Sequence, residues 1–475
     1  MNMNNTENHN QPEELVEITP AQFFDSKKQL AIVSVPIPRI TSDKKRWFSL
    51  ITSRREQHSQ TDESLSKMGY CTGRSPRPKQ RWSWGSISRF LKQQSSGTLA
   101  EAYGQILQQL ESHIDLGAYQ NNEVLALWII GTYVFRMFPT YPYIHLNGMA
   151  GAGKTKTLYL VSLMAFNGCV GTDTTPAALV RLTHDNQSTL CLDEIEKLQS
   201  AKDEMSKSAL AILNVGYKRD SSVPKLQMTE NDWEIKEFDP YSPKVLAGIR
   251  GLEGTLSSRC ISVMLIKSEN EVIVNSEVDG DDPVWGKIRD LVYEGVMSGE
   301  WIQIKEVYSG ITDSGIKGRS WEIWRPILAI AKHLNSSYAG LYERLRQFAF
   351  DQSLDKTAIM LEENSTTKIL QALQEYFLTK TKSQVSFIML QELLDFIESY
   401  DEETFRDSRS GFRHAWVNTR WLSHELRKIG LVKGPAQQRK FLGKNVKGFD
   451  VDYTELKRCM RLHGLNPTQE TIIQA

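Results

Sequence analysis

The chain has 475 residues, of which 40% are apolar and 24% are charged, so it can form several domains with buried cores. Its 57 Lys and Arg balance its 57 Asp and Glu, which excludes a uniformly basic or acidic protein but leaves room for local patches. Its five cysteines are widely spaced, which argues against a disulfide scaffold or zinc ribbon. With no secretory signal and no apolar run long enough to cross a bilayer, we expect a cytoplasmic protein without membrane contact.

Residues 1–95 form the first predicted segment, a basic and largely disordered leader. From Arg39 to Lys92 there are 13 Lys and Arg against 4 Asp and Glu, and polar residues dominate. An alternative is a nucleic-acid-binding arm, in which cations meet phosphates and aromatic rings stack on bases. The rings concerned are Trp47, Trp82 and Trp84.

Residues 96–270 alternate between helical and strand patterns, which predicts a parallel sheet with helices on its faces. The run from Glu123 to Phe138 is apolar nearly all round and predicts a buried helix, and Tyr143 to Leu146 predicts a short buried strand. A mainly helical segment, 271–355, follows. The last predicted domain spans 366–465.

The segment Gly148–Thr155 fits the phosphate-binding pattern G-x-x-x-x-G-K-[ST] and lies between a predicted strand and a predicted helix. Glycines let backbone N–H groups turn toward phosphate oxygens, and the helix adds its positive amino-terminal end. Lys154 is expected to reach the β- and γ-phosphates, and the Thr155 hydroxyl to hold Mg²⁺. The predicted nucleotide-binding residues are Gly148, Gly151, Gly153, Lys154, Thr155 and Lys156.

An acidic partner for this loop follows 39 residues after Lys154, where the apolar run Ser188–Leu192 ends in Asp193 and Glu194. Asp193 is expected to complete the Mg²⁺ shell. Glu194 is expected to orient or deprotonate the attacking water, as a general base does. The pair predicts an ATPase that uses ATP and Mg²⁺.

Five stretches carry a resemblance to known families. Cys191–Leu198 and Leu256–Arg259 resemble the Walker B and arginine-finger segments of the minichromosome-maintenance helicases, a branch of the AAA+ ATPases. Thr175–Arg181, Asn214–Arg219 and Ser242–Ile249 are similar to the putative helicase ATPases of phages, plasmids and integrative elements. The resemblance implies an AAA+ P-loop parallel sheet (96–270) with a helical lid (271–355).

The resemblance also implies roles for two arginines. Arg259 would be the finger that reaches the γ-phosphate bound by a neighbouring subunit, which implies a homo-oligomer, expected to be a ring. Arg319 would be the second sensor on the lid, with Arg325 as the rival candidate. The strand Val245–Ile249 has no Asn or Thr at its end, so the first sensor has no candidate.

Two regions are candidates for DNA contact. The segment from Ser222 to Phe238 has two alternating runs around Thr229–Asp232, which predicts a β-hairpin. Its place resembles that of the pore hairpin of the helicase branch, and its phosphate contacts would come from Lys225 or Lys236. Lys218 and Arg219 flank it, although an ordinary charged hairpin remains the alternative.

The second region is the carboxyl-terminal domain, where Phe405 to Leu465 holds 14 Lys and Arg against 5 Asp and Glu. A helix capped by Asn418 is followed by a basic hairpin, the order of a winged helix. Its predicted phosphate contacts are Arg420, Arg427, Lys428, Arg439, Lys440, Lys444 and Lys447. A winged helix used for protein contacts, or a solvated basic face, is the alternative.

Together these features predict an ATP-dependent DNA helicase or translocase of a phage, plasmid or mobile element, which hydrolyses ATP at subunit interfaces. The first alternative is a DNA-binding ATP switch, a replication initiator or loader that does not unwind DNA. A second alternative is a remodeller of proteins, whose ATPase rate would not respond to DNA.

Overall fold

The computed structural model describes residues 15–467, except positions 20, 41–45, 60, 73–80, 172–173, 201–202, 229–232, 250, 253, 266, 364, 382, 407–411, 414–416 and 464. The chain divides into two units, Met1–Asp351 and Gln352–Ala475. The domain boundaries predicted within the first unit, at residues 95 and 270, stay predictions.

The described part of residues 15–95 contains β1 (Val16–Glu17), β2 (Gln22–Asp25), β3 (Leu30–Ile40), β4 (Arg46–Thr52), β5 (Gln57–Ser59), α1 (Asp62–Lys67), β6 (Tyr70–Cys71) and α2 (Trp84–Leu91). Strands β2 to β5 form one antiparallel sheet in chain order, and β1 pairs with β6 in parallel. This sheet corrects the prediction of a largely disordered leader, because the described residues of this segment are mostly folded.

Strand β3 shows why the basic composition of residues 1–95 led to a wrong prediction of disorder. Leu30 and Ile32 pack with Leu50 and Tyr70 in a small core, whereas the intervening residues, such as Val33, enter the main core of the unit. A strand buried on both faces shows no apolar–polar alternation, so only a short apolar island marks it in the sequence.

Polar contacts also fix helix α2, which ends the leader. The carboxylate of Glu294 accepts hydrogen bonds from Ser86 Oγ at 2.5 Å and from Gly97 N at 3.0 Å. Trp82 is 1% exposed, and its ring stacks on Tyr293 at a centroid distance of 5.0 Å. Trp82 is therefore a core residue in this structure, not a base-stacking one, and the side chain of Trp47 lies outside the described residues.

The central part of the first unit contains α3 (Leu99–His113), α4 (Tyr119–Gly131), β7 (Tyr143–Asn147), α5 (Lys154–Met164), β8 (Cys169–Gly171), α6 (Pro176–Asn186), β9 (Leu190–Leu192), α7 (Ile195–Ser200), α8 (Glu204–Val215), β10 (Val223–Met228), β11 (Trp233–Phe238), β12 (Lys244–Gly248), α9 (Gly254–Ser257) and β13 (Cys260–Met264). It is followed by α10 (Glu271–Asn275), α11 (Pro283–Gly295), α12 (Trp301–Gly310), α13 (Gly318–Leu334) and α14 (Leu341–Glu363).

Five of these strands form one parallel sheet in the order β13-β7-β12-β9-β8. This confirms the predicted α/β architecture with a parallel sheet. Strand β12 lies between β7, which precedes the phosphate-binding pattern, and β9, which precedes Asp193. Because the strands are parallel, the carboxyl ends of β7, β12 and β9 share one edge, where ligands of open α/β sheets bind.

Helix α4 is buried on all sides from Asn121 to Gly131, since it lies within the main core. That core continues through the helices of the predicted lid, because buried residues of α11 to α14 join those of α3, α4 and the sheet in one cluster. Among the described helices, none combines the length and the apolar character that crossing a membrane requires.

The second unit contains α15 (Ser365–Tyr376), β14 (Val385–Met389), α16 (Leu390–Tyr400), α17 (Glu402–Phe405), α18 (Thr419–Lys428), β15 (Gln437–Phe441), β16 (Lys444–Asp452) and α19 (Tyr453–Leu462). Its antiparallel sheet has the order β14-β16-β15, and a core of its own lies among α15, α16, α18, α19 and this sheet. Helix α18 is followed by the β15–β16 hairpin, as the sequence predicts. The assignment as a winged helix stays a prediction.

Candidate nucleotide site

The phosphate-binding pattern forms the turn between β7 and α5. Gly151 has φ +79° and Gly153 has φ +87°. Both lie in the left-handed region, which glycine adopts readily and other residues rarely adopt. Gly153 immediately precedes α5 as its N-cap residue, so the first turn of this 11-residue helix presents its free backbone N–H groups to the loop. The local geometry is that of an anion cradle.

A cavity of about 440 Å³ lies at this turn, within the size range of small-molecule sites. It brings the loop together with the two predicted carboxylates. Its lining residues are Ala150, Gly151, Gly153, Lys154, Thr155, Lys156, Asp193, Glu194, Glu196 and Ile249. Gly148 does not line it, although its carbonyl oxygen accepts a hydrogen bond from Lys154 Nζ at 2.6 Å.

Two side chains at the start of α5 face the cavity with different chemistry. Lys154 Nζ also donates to the carbonyl oxygen of Met149 at 2.9 Å, which holds the ammonium over the loop. Thr155 Oγ1 donates to Asp193 Oδ2 at 2.7 Å. The hydroxyl and the carboxylate are hard oxygen donors, the kind that Mg²⁺ prefers.

The third α5 residue, Lys156, makes side-chain contacts outside the phosphate-binding loop. It lines the cavity, but its ammonium donates to the carbonyl oxygen of Ile273 at 2.9 Å and to Ser276 Oγ at 2.7 Å. Burial lowers the pKa of this ammonium below its ordinary value. The side chain therefore ties α5 to the end of α10 in this structure, and a nucleotide contact by its ammonium stays a prediction.

Glu194 has a strained backbone, with φ +54°. Its N–H donates to Asp193 Oδ1 at 2.9 Å, and its carboxylate forms an ion pair with Lys197 in the first turn of α7. A non-glycine residue in the left-handed region costs free energy, and such residues concentrate at functional sites. The positive φ of Glu194 turns the chain sharply after β9, and the Glu194 side chain lines the cavity.

The end of β12 brings an apolar side chain to the cavity. Ile249 follows the strand, is 55% exposed and lines the site, whereas Arg250 lies outside the described residues. Among the described lining residues, the additional carboxylate is Glu196 on α7, which the sequence did not single out. The sequence feature that could have identified Glu196 is its position two residues after Glu194, just beyond the carboxylate pair.

Arg259 lies at the opposite edge of the sheet from this cavity. It immediately precedes β13, whose first residue, Cys260, pairs with Tyr143 at the start of β7. The cavity begins after Asn147, five residues along β7, so roughly 16 Å of strand separates the two positions at about 3.3 Å per residue. Arg259 is therefore far from the phosphate-binding loop of its own chain.

Arg259 and Arg319 meet at the ring of Tyr217. Their guanidinium carbons lie 5.0 and 4.8 Å from the ring centroid, within the range of a cation–π contact. Arg259 Nε also donates to the carbonyl oxygen of Asn214 at 2.6 Å, and Arg319 pairs with Glu322 at 2.9 Å. Sequence analysis predicted neither the role of Tyr217 nor the proximity of the two arginines.

Arg325, the rival sensor candidate, is directed elsewhere. Its guanidinium donates to the carbonyl oxygen of Tyr308 at 2.6 and 3.0 Å and lies 4.3 Å from the centroid of the Tyr308 ring. These contacts bind α13 to α12. Of the two candidates, the structure brings only Arg319 to Arg259.

The predicted hairpin exists as the isolated β10–β11 pair, and its tip, 229–232, lies outside the described residues. Lys225 is paired with Lys236 across the strands, so both predicted phosphate contacts belong to one face. The other face is apolar and exposed over two cross-strand pairs. These are Leu226 with Ile235, at 67% and 71% exposure, and Met228 with Trp233, at 70% and 61%.

The two predicted DNA contacts at the base of the hairpin, Lys218 and Arg219, differ in their exposure to solvent. Arg219 is half-buried, and its Nη1 donates to the carbonyl oxygen of Arg136 at 3.1 Å. Lys218 is exposed and forms an isolated bridge with Thr140, just before β7. Lys218 is thus placed for an external contact, whereas Arg219 mainly ties this loop to the segment before β7.

In the second unit, the seven predicted phosphate contacts are all exposed. Arg439 pairs with Asp450 at 2.5 Å, and Lys428 pairs with Glu425 at 3.2 Å. Among the described residues, no carboxylate pairs with the other five, which are Arg420, Arg427, Lys440, Lys444 and Lys447. The surface has the cationic character that the sequence predicts.

No family model matches the sequence, and no curated protein matches it. Solved structures do show partial likeness. An apo structure of the NrS-1 C-terminal region is 13% identical, with 88% of this chain and 96% of that chain covered and a TM-score of 0.35. The active helicase Cch of SCCmec type IV is 10% identical, with 94% of each chain covered and a TM-score of 0.35.

A DNA-bound ORC structure from Drosophila is 12% identical, with 82% of this chain and 96% of that chain covered and a TM-score of 0.20. TM-scores of this size do not establish a common fold. The likenesses therefore leave the family of this chain open.

Proposed function

We propose that the chain is an ATPase that hydrolyses ATP with Mg²⁺ at the carboxyl edge of its parallel sheet. The contact of 2.7 Å between Thr155 Oγ1 and Asp193 Oδ2 is the observation that carries this proposal. It joins the last residue of the phosphate-binding pattern to the first carboxylate after β9, inside one cavity. Thr155 and Asp193 would hold Mg²⁺, which offsets the negative charge of the phosphates when bound.

The other lining residues have separate roles in this proposal. The backbone of Gly151 and Gly153 and the start of α5 receive the phosphates, and Lys154 neutralises the β- and γ-phosphate oxygens. Glu194 orients the attacking water and accepts its proton. The strained backbone at Glu194 supports this role, because it fixes the carboxylate beside Asp193 at the cavity.

The catalytic arginine comes from a neighbouring subunit in this proposal. Arg259 lies at the amino edge of the sheet and the cavity lies at the carboxyl edge, so one chain does not supply both to one site. Arg319 lies beside Arg259 on Tyr217 and would act across the same interface. The two surfaces differ, so the contact is head-to-tail, and identical chains form the proposed ring when the rotation between neighbours closes.

DNA is the proposed partner of the hydrolysis cycle. The exposed cations of the second unit are suited to the phosphate backbone, and the β10–β11 hairpin offers an aromatic and apolar face beside Lys225 and Lys236. We therefore assign the chain to the AAA+ helicases or translocases that resemble the minichromosome-maintenance branch. By the same resemblance, it serves a phage, plasmid or mobile element in the cytoplasm.

A DNA-binding ATP switch is the second candidate. The observation that favours it is the separate cationic surface of the second unit, which could hold DNA whether or not the ATPase turns over. A switch hydrolyses ATP slowly and once for each loading event, whereas a translocase turns over continuously on DNA.

Steady-state ATPase rates with and without single-stranded DNA distinguish these functions. For a translocase we expect strong stimulation that weakens with salt, and we expect Glu194→Gln to bind ATP but lose turnover. Lys154→Ala should lose nucleotide binding. The matched control is Glu306→Gln, which removes one negative charge from an exposed residue of α12, as Glu194→Gln does at the site. This variant should behave as the wild type. A wild-type rate that DNA leaves unchanged would contradict the translocase proposal.

A further inference from the structure

The turn between β15 and β16 has an unusual residue at its tip. Phe441 pairs with Lys444, so Leu442 and Gly443 alone connect the strands. Both have positive φ, +46° for Leu442 and +77° for Gly443. Two-residue turns of this kind favour Asn, Asp or Gly at both positions, and leucine there is strained.

Burial within the chain does not offset this strain. Leu442 is 90% exposed, and its neighbour Phe441 is 53% exposed. An asparagine or glycine would relieve the backbone and remove an apolar side chain from water. A strained and exposed leucine at a hairpin tip therefore points to an apolar contact with a ligand.

The surroundings of the tip are cationic. Lys440 and Lys444 flank the turn on the two strands, and Lys447 lies further along β16; all three are exposed. The nearby carboxylate of Asp450 is already paired with Arg439, whose guanidinium also lies 4.2 Å from the centroid of the Phe387 ring. The pattern is a narrow apolar point between positive charges.

Duplex DNA is the ligand that fits both properties. Proteins that bend DNA insert apolar side chains, such as leucine and phenylalanine, between base steps from the minor groove, where phosphates of both strands lie to either side. A membrane surface fits less well, because one leucine and a half-exposed phenylalanine bury little apolar area.

We propose that Leu442 is a wedge that inserts between base steps of duplex DNA and bends it, with Lys440 and Lys444 on the flanking phosphates. This inference rests on the proposed DNA binding of the second unit. It adds to that proposal the form of the DNA, which is double-stranded, and its distortion.

The test uses the full-length protein without ATP and a duplex of about 25 base pairs with a donor and an acceptor dye at its ends. Wild-type protein should raise energy transfer as it binds. Leu442→Gly and Leu442→Asn should abolish most of that rise and weaken binding about tenfold, with an unchanged dependence of affinity on salt. Both residues suit the positive φ, so loss of the fold does not explain such a result.

Two comparisons separate the wedge from the charges. Lys444→Ala should reduce the salt dependence by about one counterion and keep the bend at saturation. Leu442→Met, which keeps an apolar side chain, should retain most of the bending.

Three results would overturn the inference. The first is an unchanged bend in Leu442→Gly, which leaves DNA binding intact and removes the wedge. The second is the absence of duplex binding by the wild type, which removes the proposed DNA contact of this unit as well. The third is Leu442-dependent binding to vesicles of phosphatidylserine and phosphatidylcholine without any bending of DNA, which assigns the tip to membranes.

Discussion

At the scale of single residues, Glu194 combines backbone strain with the proposed general-base role. Its φ of +54° is a conformation that glycine adopts without strain. Its side chain lines the cavity beside Asp193. A residue that serves only stability at this position would be expected to be glycine or asparagine.

We therefore expect Glu194→Gly to raise stability slightly while it abolishes ATP turnover. Relief of the left-handed strain, reduced by the larger chain entropy of glycine, should stabilise the fold by about 0.5 to 1 kcal/mol. Thermal denaturation and ATPase rate, measured beside Glu194→Gln, check this. The Glu194→Gln variant should lose ATPase activity without the gain in stability. A glycine variant that is less stable than the wild type would show that the backbone strain has another origin.

Lys244 is a second informative residue, because its ammonium is completely buried at the start of β12. Its Nζ donates to the carbonyl oxygens of Pro240 at 3.0 Å and of Gly216 at 3.3 Å, and lies 4.9 Å from the centroid of the Tyr143 ring. Burial lowers the pKa of Lys244 to about 7 from its ordinary value of 10.5. The lysine joins the base of the hairpin to the end of α8.

This pKa predicts a dependence of stability on pH. Between about pH 7 and pH 10.5 the unfolded chain holds a proton that the folded chain has released, so the free energy of unfolding rises with pH. From pH 7 to pH 9 the wild type should gain about 2 kcal/mol relative to Lys244→Met. Urea denaturation of both proteins at the two pH values measures this difference. A difference that stays constant or falls would contradict the lowered pKa.

At the scale of elements, the β10–β11 hairpin departs most from its predicted chemistry. The sequence drew attention to its lysines, but the exposed cross-strand pairs of the other face are apolar. The register explains this, because residues two apart on each strand share a face. Trp233 is the side chain on that face best suited to stack on a base.

We expect Trp233→Ala to weaken DNA stimulation and leave the basal ATPase rate unchanged. Loss of one stacking contact should raise the single-stranded DNA concentration for half-maximal stimulation about tenfold. Trp233→Phe, which keeps an aromatic face, should restore most of the effect. If the alanine variant responds to DNA as the wild type does, the apolar face of the hairpin serves another partner.

The elements that the sequence predicted well are those fixed by short-range patterns. Gly151, Gly153 and Lys154 lie within one eight-residue motif. The two glycines of this motif indicate directly where the backbone adopts positive φ. The position of Asp193 at the edge of the sheet was predictable because an apolar strand ends directly before it. The contact with Thr155 follows from the shared edge of a parallel sheet.

The features that the sequence did not predict depend on packing between distant residues. Strand β3 is buried on both faces, and Glu294 fixes helix α2 from about 200 residues away, so neither leaves a periodic signal in the leader. The meeting of Arg259 and Arg319 at Tyr217 depends on how α13 packs beside the start of β7. There Thr140 Oγ1 donates to the carbonyl oxygen of Glu322 at 2.8 Å.

At the scale of the whole molecule, the proposed mechanism depends on the two edges of one sheet. The cavity with Lys154 lies at the carboxyl edge, and Arg259 lies at the amino edge. If hydrolysis needs both, an active site requires two chains. The shared site and the head-to-tail contact between neighbouring chains both follow from that requirement.

Mixing two inactive variants tests this requirement most directly. Lys154→Ala lacks a working phosphate site but keeps Arg259, whereas Arg259→Ala lacks the finger but keeps the phosphate site. If the site is shared, an equal mixture allowed to exchange subunits should recover ATPase activity to about a quarter of the wild-type rate, since random assembly completes about one interface in four. The double variant mixed with Arg259→Ala should recover nothing. A mixture of the two single variants that stays at background, despite exchange of subunits, would contradict catalysis at the interface.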